Sequence, residues 1–198
     1  MVPMKFKTLQ ELHTYHHAHC LCDLKALATQ PVFGDGNPRS QIVFIGEAPG
    51  KKEDVEGRPF IGSAGKFLTE MLAGIQMKRE DIYITNIVKY RPPNNRDPEL
   101  KEKEACAAWL IDELHFIQPR IIVFLGRHSM NHFFPEEKIS EVHGKLLHRK
   151  FDNIPTEYFL PLYHPAAALY NRNLRAVLIK DFQKLPSLLS STPSHGAP

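Results

Sequence analysis

The stretch QIVFIGEAPGKKEDVEGRPFIGSAG, Gln41 to Gly65, decides how this chain is read. It opens on Ile42-Val43-Phe44-Ile45, a β-branched and aromatic run that predicts a buried strand. The run stops at Gly46-Glu47-Ala48-Pro49-Gly50, a tight turn by composition. A second Gly/Pro-rich passage, 57–62, leads to Ser63-Ala64-Gly65, where a helix should open with Ser63 as its N-cap. In an open α/β sheet such a loop lies at the carboxyl end of its strand, where ligands bind. An ordinary strand-to-helix connection takes only a few residues, so about 17 residues with charge and glycine interleaved point to a site.

The same alternation continues on both sides. Phe67, Leu68, Met71, Leu72 and Ile75 recur at helical spacing, and Ile82 to Val88 reads as a second buried strand carrying Asn86 near its end. Asp97-Pro98-Glu99 predicts a helix start, with Asp97 as N-cap and Pro98 at the first helical position. That helix runs toward Phe116 with Ala105, Ala108, Trp109, Ile111 and Leu114 facing the core and Cys106 near them. Arg120 to Gly126 is a third strand, and His128 to Phe134 a short helix. An edge strand falls within 135–154. Tyr158 to Tyr163 is a further strand that delivers His164-Pro165-Ala166-Ala167-Ala168, and 174–189 reads as a last amphipathic helix. Residues 1–29 are helical in part. Strands alternating with helices predict a mainly parallel sheet covered on both faces. One domain over 1–189 and a disordered tail over 190–198 complete this reading.

Composition bounds the partners. With 25 Lys+Arg against 22 Asp+Glu the formal charge is +3, which permits nucleic acid without requiring it. No apolar run reaches the length of a membrane span, and the first residues lack a signal-peptide core. Three cysteines make no disulfide framework, so the expected compartment is the cytoplasm. The segment Tyr15 to Leu24 is dense in histidine and cysteine; it reads either as a metal site or as a helix with exposed histidines and buried thiols.

Gly46-Glu47, Asn86 and His164 all fall at strand ends on one edge of the sheet, beside the aromatic Phe60. A Walker sequence, G-x-G-x-x-G, H-E-x-x-H and a serine nucleophile elbow are all absent, which removes support for nucleotide hydrolysis, dinucleotide redox chemistry, zinc proteolysis and serine hydrolysis. Basic residues at Lys51-Lys52, Arg91, Arg96 and Arg172 favour a polymeric DNA substrate.

GEAPG, Glu53-Asp54, RPFIGSAGK, TNIVK followed by RPP and Asn95-Arg96, the pair Leu125-Gly126, and HPAA occur in one order over roughly 20–185. This linked set resembles the uracil-DNA glycosylase superfamily, and most of all its family 4 members, which usually carry an iron–sulfur cluster. The resemblance implies a three-layer α/β/α sandwich around a four-stranded parallel sheet, and hydrolysis of the N-glycosidic bond of deoxyuridine in DNA. It implies that Phe60 stacks on a flipped uracil, Asn86 reads its O4 and N3–H, and His164 stabilises charge developing at O2. Glu47 would orient water or offset charge on the sugar, while Gly46, Ala48 and Gly50 let the backbone approach the base. Lys52, Arg91, Arg96 and Arg172 would meet phosphates, and Leu169 with Tyr170 could fill the gap left by the base.

The family's cluster-ligand positions fall at His19, Cys22, Tyr90 and Cys106, with Cys20 an adjacent spare thiol. The expectation is therefore a protein with no cofactor, in which Tyr90 fills the vacated space. The alternative is a [4Fe–4S] cluster or zinc at a degenerate site using Cys20, Cys22 and Cys106 with His17 or His19 as the fourth ligand. Other classes remain open at this stage: a non-catalytic uracil- or lesion-binding protein, and an α/β nucleoside hydrolase. The expected partner is uracil-containing DNA, met by a monomer.

Overall fold

The computed structural model describes residues 6–193. In chain order its elements are α1 (Leu9–His19), β1 (Asp35–Gly36), β2 (Ile42–Gly46), α2 (Lys51–Glu56), α3 (Ser63–Gly74), β3 (Tyr83–Asn86), α4 (Leu100–Ile117), β4 (Ile121–Leu125), α5 (Arg127–Phe133), α6 (Ile139–Val142), β5 (Leu147–His148), β6 (Tyr158–Leu162), α7 (Pro165–Tyr170), α8 (Arg172–Phe182) and α9 (Leu185–Ser191).

The sheet has the order β1-β3-β2-β4-β6-β5. Its four central strands are parallel, and two-residue strands pair antiparallel at each edge, so the four strands expected are a core within six. Every residue of β2, β3 and β4 is buried, as required of strands covered on both faces. Alternation at period two divides their side chains. Val43, Ile45, Ile122 and Phe124 pack under α1, α4 and α5 with Leu12, Trp109, Leu114 and Met130. Ile42, Phe44, Ile121 and Val123 pack against α3 and α8 with Phe67, Leu72, Leu178 and Phe182. The result is the three-layer α/β/α sandwich.

The chain runs from β2 to β3 on one side and then returns to β4 on the other side of β2. That reversal opens a crevice beyond the carboxyl end of β2. Register does the fine placement: Gly46 pairs directly with Asn86, and Leu125 with Leu162, so the residues after those strands emerge side by side.

Several expectations change in detail. The helix α4 starts two residues late, with Glu99 as N-cap, because the Glu102 carboxylate accepts from Glu99 N at 2.7 Å and holds the turn there. Ala108 is exposed, while Glu102 and Glu113 are buried on the same helix. The N-cap of α3 is Gly62, not Ser63. The loop after β2 contains the unforeseen α2. The single last helix is two pieces, since Asn171 caps α8 by accepting from Leu174 N at 3.1 Å and Pro186 opens α9. The disordered tail expected from Ser190 is corrected for 190–193. There α9 continues to Ser191, and Arg120 donates to the carbonyls of Leu189, Thr192 and Pro193. Residues 194–198 lie outside the described ones.

Candidate active site

A cleft of about 640 Å³ occupies the crevice, and Glu47, Ala48, Gly50, Phe60, Asn86, Arg96 and His164 all line it. The structure thus brings together every catalytic and base-contacting residue expected from sequence. Gly46 forms the floor behind them. A Cβ on Gly46 would run into Asn86 Oδ1 and the edge of the Phe60 ring, so only glycine lets these two groups approach the strand end together. Asn86 is 2 % exposed and its Oδ1 has no hydrogen-bond partner. A buried, unpaired amide oxygen is costly by about 1–3 kcal/mol, and its cost is recovered when a ligand donates to it.

Phe60 is held in a backbone conformation that side chains disfavour, with φ at 51°. Three neighbours impose it. Arg79 donates to the carbonyls of Phe60, at 2.9 Å, and of Pro59. Glu53 accepts from Ile61 N at 3.1 Å and Gly62 N at 2.9 Å. Gly65 lies so close to the Phe60 carbonyl that any Cβ there would collide with it. The ring is thereby fixed, with its centroid 5.7 Å from that of His164.

His164 caps α7: its Nδ1 accepts from Ala166 N at 3.0 Å. An Nδ1 that accepts leaves the proton of the neutral ring on Nε2. Burial first, and then the proximity of His128, lower its pKa to about 4, so the ring is neutral near pH 7. A neutral N–H donor suits a site where negative charge develops on an oxygen.

Glu47 follows β2 directly. Its Oε1 is buried without a hydrogen bond, 3.4 Å from His128 Nδ1 and 3.6 Å from Lys103 Nζ. Burial pushes its carboxyl above the ordinary range, His128 and Lys103 pull it back, and Asp97 adds to the rise. Glu47, Asp97 and His128 present ligand-type atoms within 4.8 Å of one another, but Lys103 already brings a cation to this cluster. His128, Lys103, Asp97, Arg79 and Glu53 were not expected from sequence as site residues. For His128 a signal existed, since it follows the end of β4 as Glu47 follows the end of β2.

Of the basic residues expected at DNA, Lys52 and Arg172 are exposed, and neither lines the cleft. Arg91 Nε donates to Asn95 Oδ1 at 2.7 Å. Arg96 is committed to a bidentate pair with the buried Glu102, at 2.8 and 2.6 Å, so it shapes the wall of the cleft before it can meet a phosphate. Leu169 and Tyr170 lie on α7, 36 % and 93 % exposed.

The cysteines gather behind the sheet edge, away from the cleft. Cys22 and Cys106 are buried and Cys20 is half-buried; all three are free. The Cys20 and Cys22 thiols donate to the carbonyls of Ala105 and Glu102, each at 3.8 Å, and the neighbouring Cys106 thiol chiefly lowers the Cys20 pKa to about 6 while its own lies far above the usual value. His19 is not among them: it is exposed, bonded to the Tyr15 carbonyl at 2.7 Å and stacked on the Tyr15 ring. Tyr90 is 1 % exposed beside the thiols, its hydroxyl 3.1 Å from His17 Nδ1. Burial first, then the neighbouring thiols, push its phenol well above the ordinary value, which makes it a poor anionic ligand. A donor set of three thiols and a neutral phenol does not fit a cluster held by four thiolates. His19 is therefore removed from the tentative ligand set.

An orphaned amide oxygen, a rigid aromatic wall and a neutral imidazole donor at a topological switch point define an α/β protein built to hold a planar, polar ring. The chain belongs to the uracil DNA glycosylase superfamily, whose family model matches residues 33–185. It is 48 % identical over 173 residues to the type-4 uracil-DNA glycosylase of Sulfurisphaera tokodaii, covering 84 % of this chain and 78 % of the relative. It is 40 % identical over 170 residues to the type-4 uracil-DNA glycosylase of Thermotoga maritima, covering 85 % and 88 %. The type-5 uracil-DNA glycosylase of Thermus thermophilus is 38 % identical over 113 residues, covering 50 % of this chain and 51 % of that protein. Among the described residues no helix is long and apolar enough to cross a membrane.

Proposed function

We propose that this protein is a uracil-DNA glycosylase that hydrolyses the N-glycosidic bond of deoxyuridine in DNA, releasing uracil and leaving an abasic site for base excision repair. The observation that carries this reading is the buried, unpartnered Asn86 Oδ1 close to Phe60 at Gly46. Uracil N3–H supplies the missing donor, and the Asn86 amide N–H donates to O4. Cytosine offers the opposite pattern at both positions and leaves two polar groups unpaired.

The base must leave the duplex to reach this cleft, at a cost of a few kcal/mol. Stacking on Phe60 returns about 1–3 kcal/mol of that. As the N1–C1′ bond breaks, its electron pair passes into the pyrimidine, largely to O2. The Nε2–H of neutral His164 donates to that oxygen and stabilises it in the transition state. Glu47, ionised, accepts a hydrogen bond from the water that adds to C1′, takes up its proton, and offsets the positive charge growing on the sugar. Lys52, Arg91 and Arg172 line the approach for phosphates, with Arg96 behind them, and Leu169 with Tyr170 enters the gap in the stack. One pocket holds every group the reaction needs, so a monomer suffices, and free thiols suit the cytoplasm.

None of these steps draws on the thiol group, and the Tyr90 phenol supports an enzyme that works without a cluster. Iron, sulfide and zinc counted on anaerobically purified protein test this point; near-stoichiometric iron and sulfide would overturn it. The function itself is tested by incubating the protein with a uracil-containing oligonucleotide, then alkali and a sequencing gel. Cleavage only at uracil is expected, and an intact strand refutes the reading.

A further inference from the structure

His128 stands in the cleft wall at the first turn after β4, with its side chain about one-third exposed. Arg127 Nε, which can only donate, points at His128 Nε2 at 3.1 Å. Asp97 Oδ2 also faces Nε2, at 3.5 Å, but the Arg127 donor is nearer and within hydrogen-bond length, so Nε2 accepts and the proton of the neutral ring is on Nδ1. That N–H faces Glu47 Oε1 across 3.4 Å. This oxygen is the one buried carboxylate atom of the cleft with no hydrogen bond among the described residues. Catalytic hydrogen bonds are often longer in a substrate-free protein and tighten in its complex, so this distance suits a contact made during the reaction.

We propose that His128 is a positioning residue for Glu47: its Nδ1–H and the Lys103 ammonium take hold of Oε1, leaving Oε2 free for the attacking water. The charged surroundings are consistent with this. Glu47 meets His128 from α5, Lys103 from α4 and Asp97 from the segment before α4. His128 meets Glu47, Asp97 at 3.5 Å and its neighbour Arg127, with His164 close enough to feel its charge. Burial and Asp97 favour a protonated, idle Glu47; His128 and Lys103 oppose them. The inference rests on the glycosylase reading, in which Glu47 works as a carboxylate.

The test is single-turnover excision at saturating DNA across pH 4.5–9, for the unaltered protein, His128→Ala and His128→Asn. Asparagine places an amide N–H near the position of Nδ1. Loss of one such hydrogen bond should slow His128→Ala by about tenfold near neutral pH. The acid limb of its profile should move to higher pH, because Glu47 protonates more easily without its donor. His128→Asn should recover most of the rate and part of the shift, and DNA affinity should change little in either variant. Three results would overturn the proposal: a rate and pH profile unchanged in His128→Ala, a loss confined to DNA affinity, or an Asn variant no better than Ala with both proteins folded by melting curve. Inactivity of the unaltered protein would instead refute the glycosylase reading, and the proposal with it.

Discussion

Lys89 and Glu113 form a completely buried ion pair, both side chains 0 % exposed and 2.6 Å apart, beside Asn86. Lys89 also donates to the Asn86 carbonyl at 2.9 Å, while Glu113 accepts from Thr85 at 2.8 Å and contacts His13 at 3.1 Å. Replacing Lys89 with Met keeps the volume and strands the carboxylate. Removal of one partner of a buried pair costs about 3–5 kcal/mol, because the other charge stays dehydrated and uncompensated. For a chain of 198 residues this lowers Tm by about 6–20 °C. The double variant Lys89→Met/Glu113→Gln removes the stranded charge and should recover at least half of the loss. The pH dependence supplies an independent sign. Burial by itself would raise the Glu113 carboxyl, but Lys89 and His13 outweigh it and hold it at about 2, against an ordinary 4.5. A carboxyl depressed on folding adds stability above its unfolded pKa and loses it as pH falls from about 4.5 toward 2, here about 3 kcal/mol. In Lys89→Met, burial dominates and the folded carboxyl lies above its unfolded value, so acidification from pH 7 toward 5 should stabilise the variant. Chemical denaturation at pH 7, 5 and 3 reads all of this. A loss under 1 kcal/mol for Lys89→Met, with an unchanged pH slope, would refute the claim that these charges depend on one another.

His164→Ala should slow single-turnover excision by about two to three orders of magnitude with DNA affinity nearly intact; an unchanged rate removes His164 from the mechanism. In the unaltered protein, its lowered pKa keeps the working neutral ring present at neutral pH, so its contribution should fade only as pH drops through about 4. Gly46→Ala puts a methyl group between Asn86 Oδ1 and Phe60. We expect a folded protein, destabilised by about 1–3 kcal/mol, that excises uracil at least about 100-fold more slowly; near-normal excision would place the base elsewhere. Neutralising Lys52, Arg91 and Arg172 together should flatten the log–log salt dependence of DNA binding by close to one unit for each contact made. Arg96→Ala should weaken the wall of the cleft through Glu102 rather than change that slope, which thermal melting and salt titration separate.

The sequence alone determined the layered α/β architecture, because Ile42–Ile45 and Ile121–Leu125 are apolar on both faces and the helices between them are apolar on one. Strand-end placement and linked motifs made Gly46, Glu47, Phe60, Asn86 and His164 legible as one pocket. The start of α4 was misplaced because a local N-cap signal at Asp97 competes with the longer-range Arg96–Glu102 pair that holds Glu99. Helical periodicity marked Trp109 and Leu114 as core, yet gave no warning that Glu113, a charged residue, lies fully buried among them. Its burial depends on Lys89 arriving from the segment after β3 and His13 from α1, 24 and 100 residues away in the chain. His128, Lys103 and Asp97 converge on Glu47 only because β4 returns beside β2. The strained Phe60 corner likewise needs Arg79, 19 residues on, to reach back to its carbonyl. Local pattern reports which face of each element is apolar. Which charges meet once those faces are buried depends on register and crossover, and only the folded chain decides that.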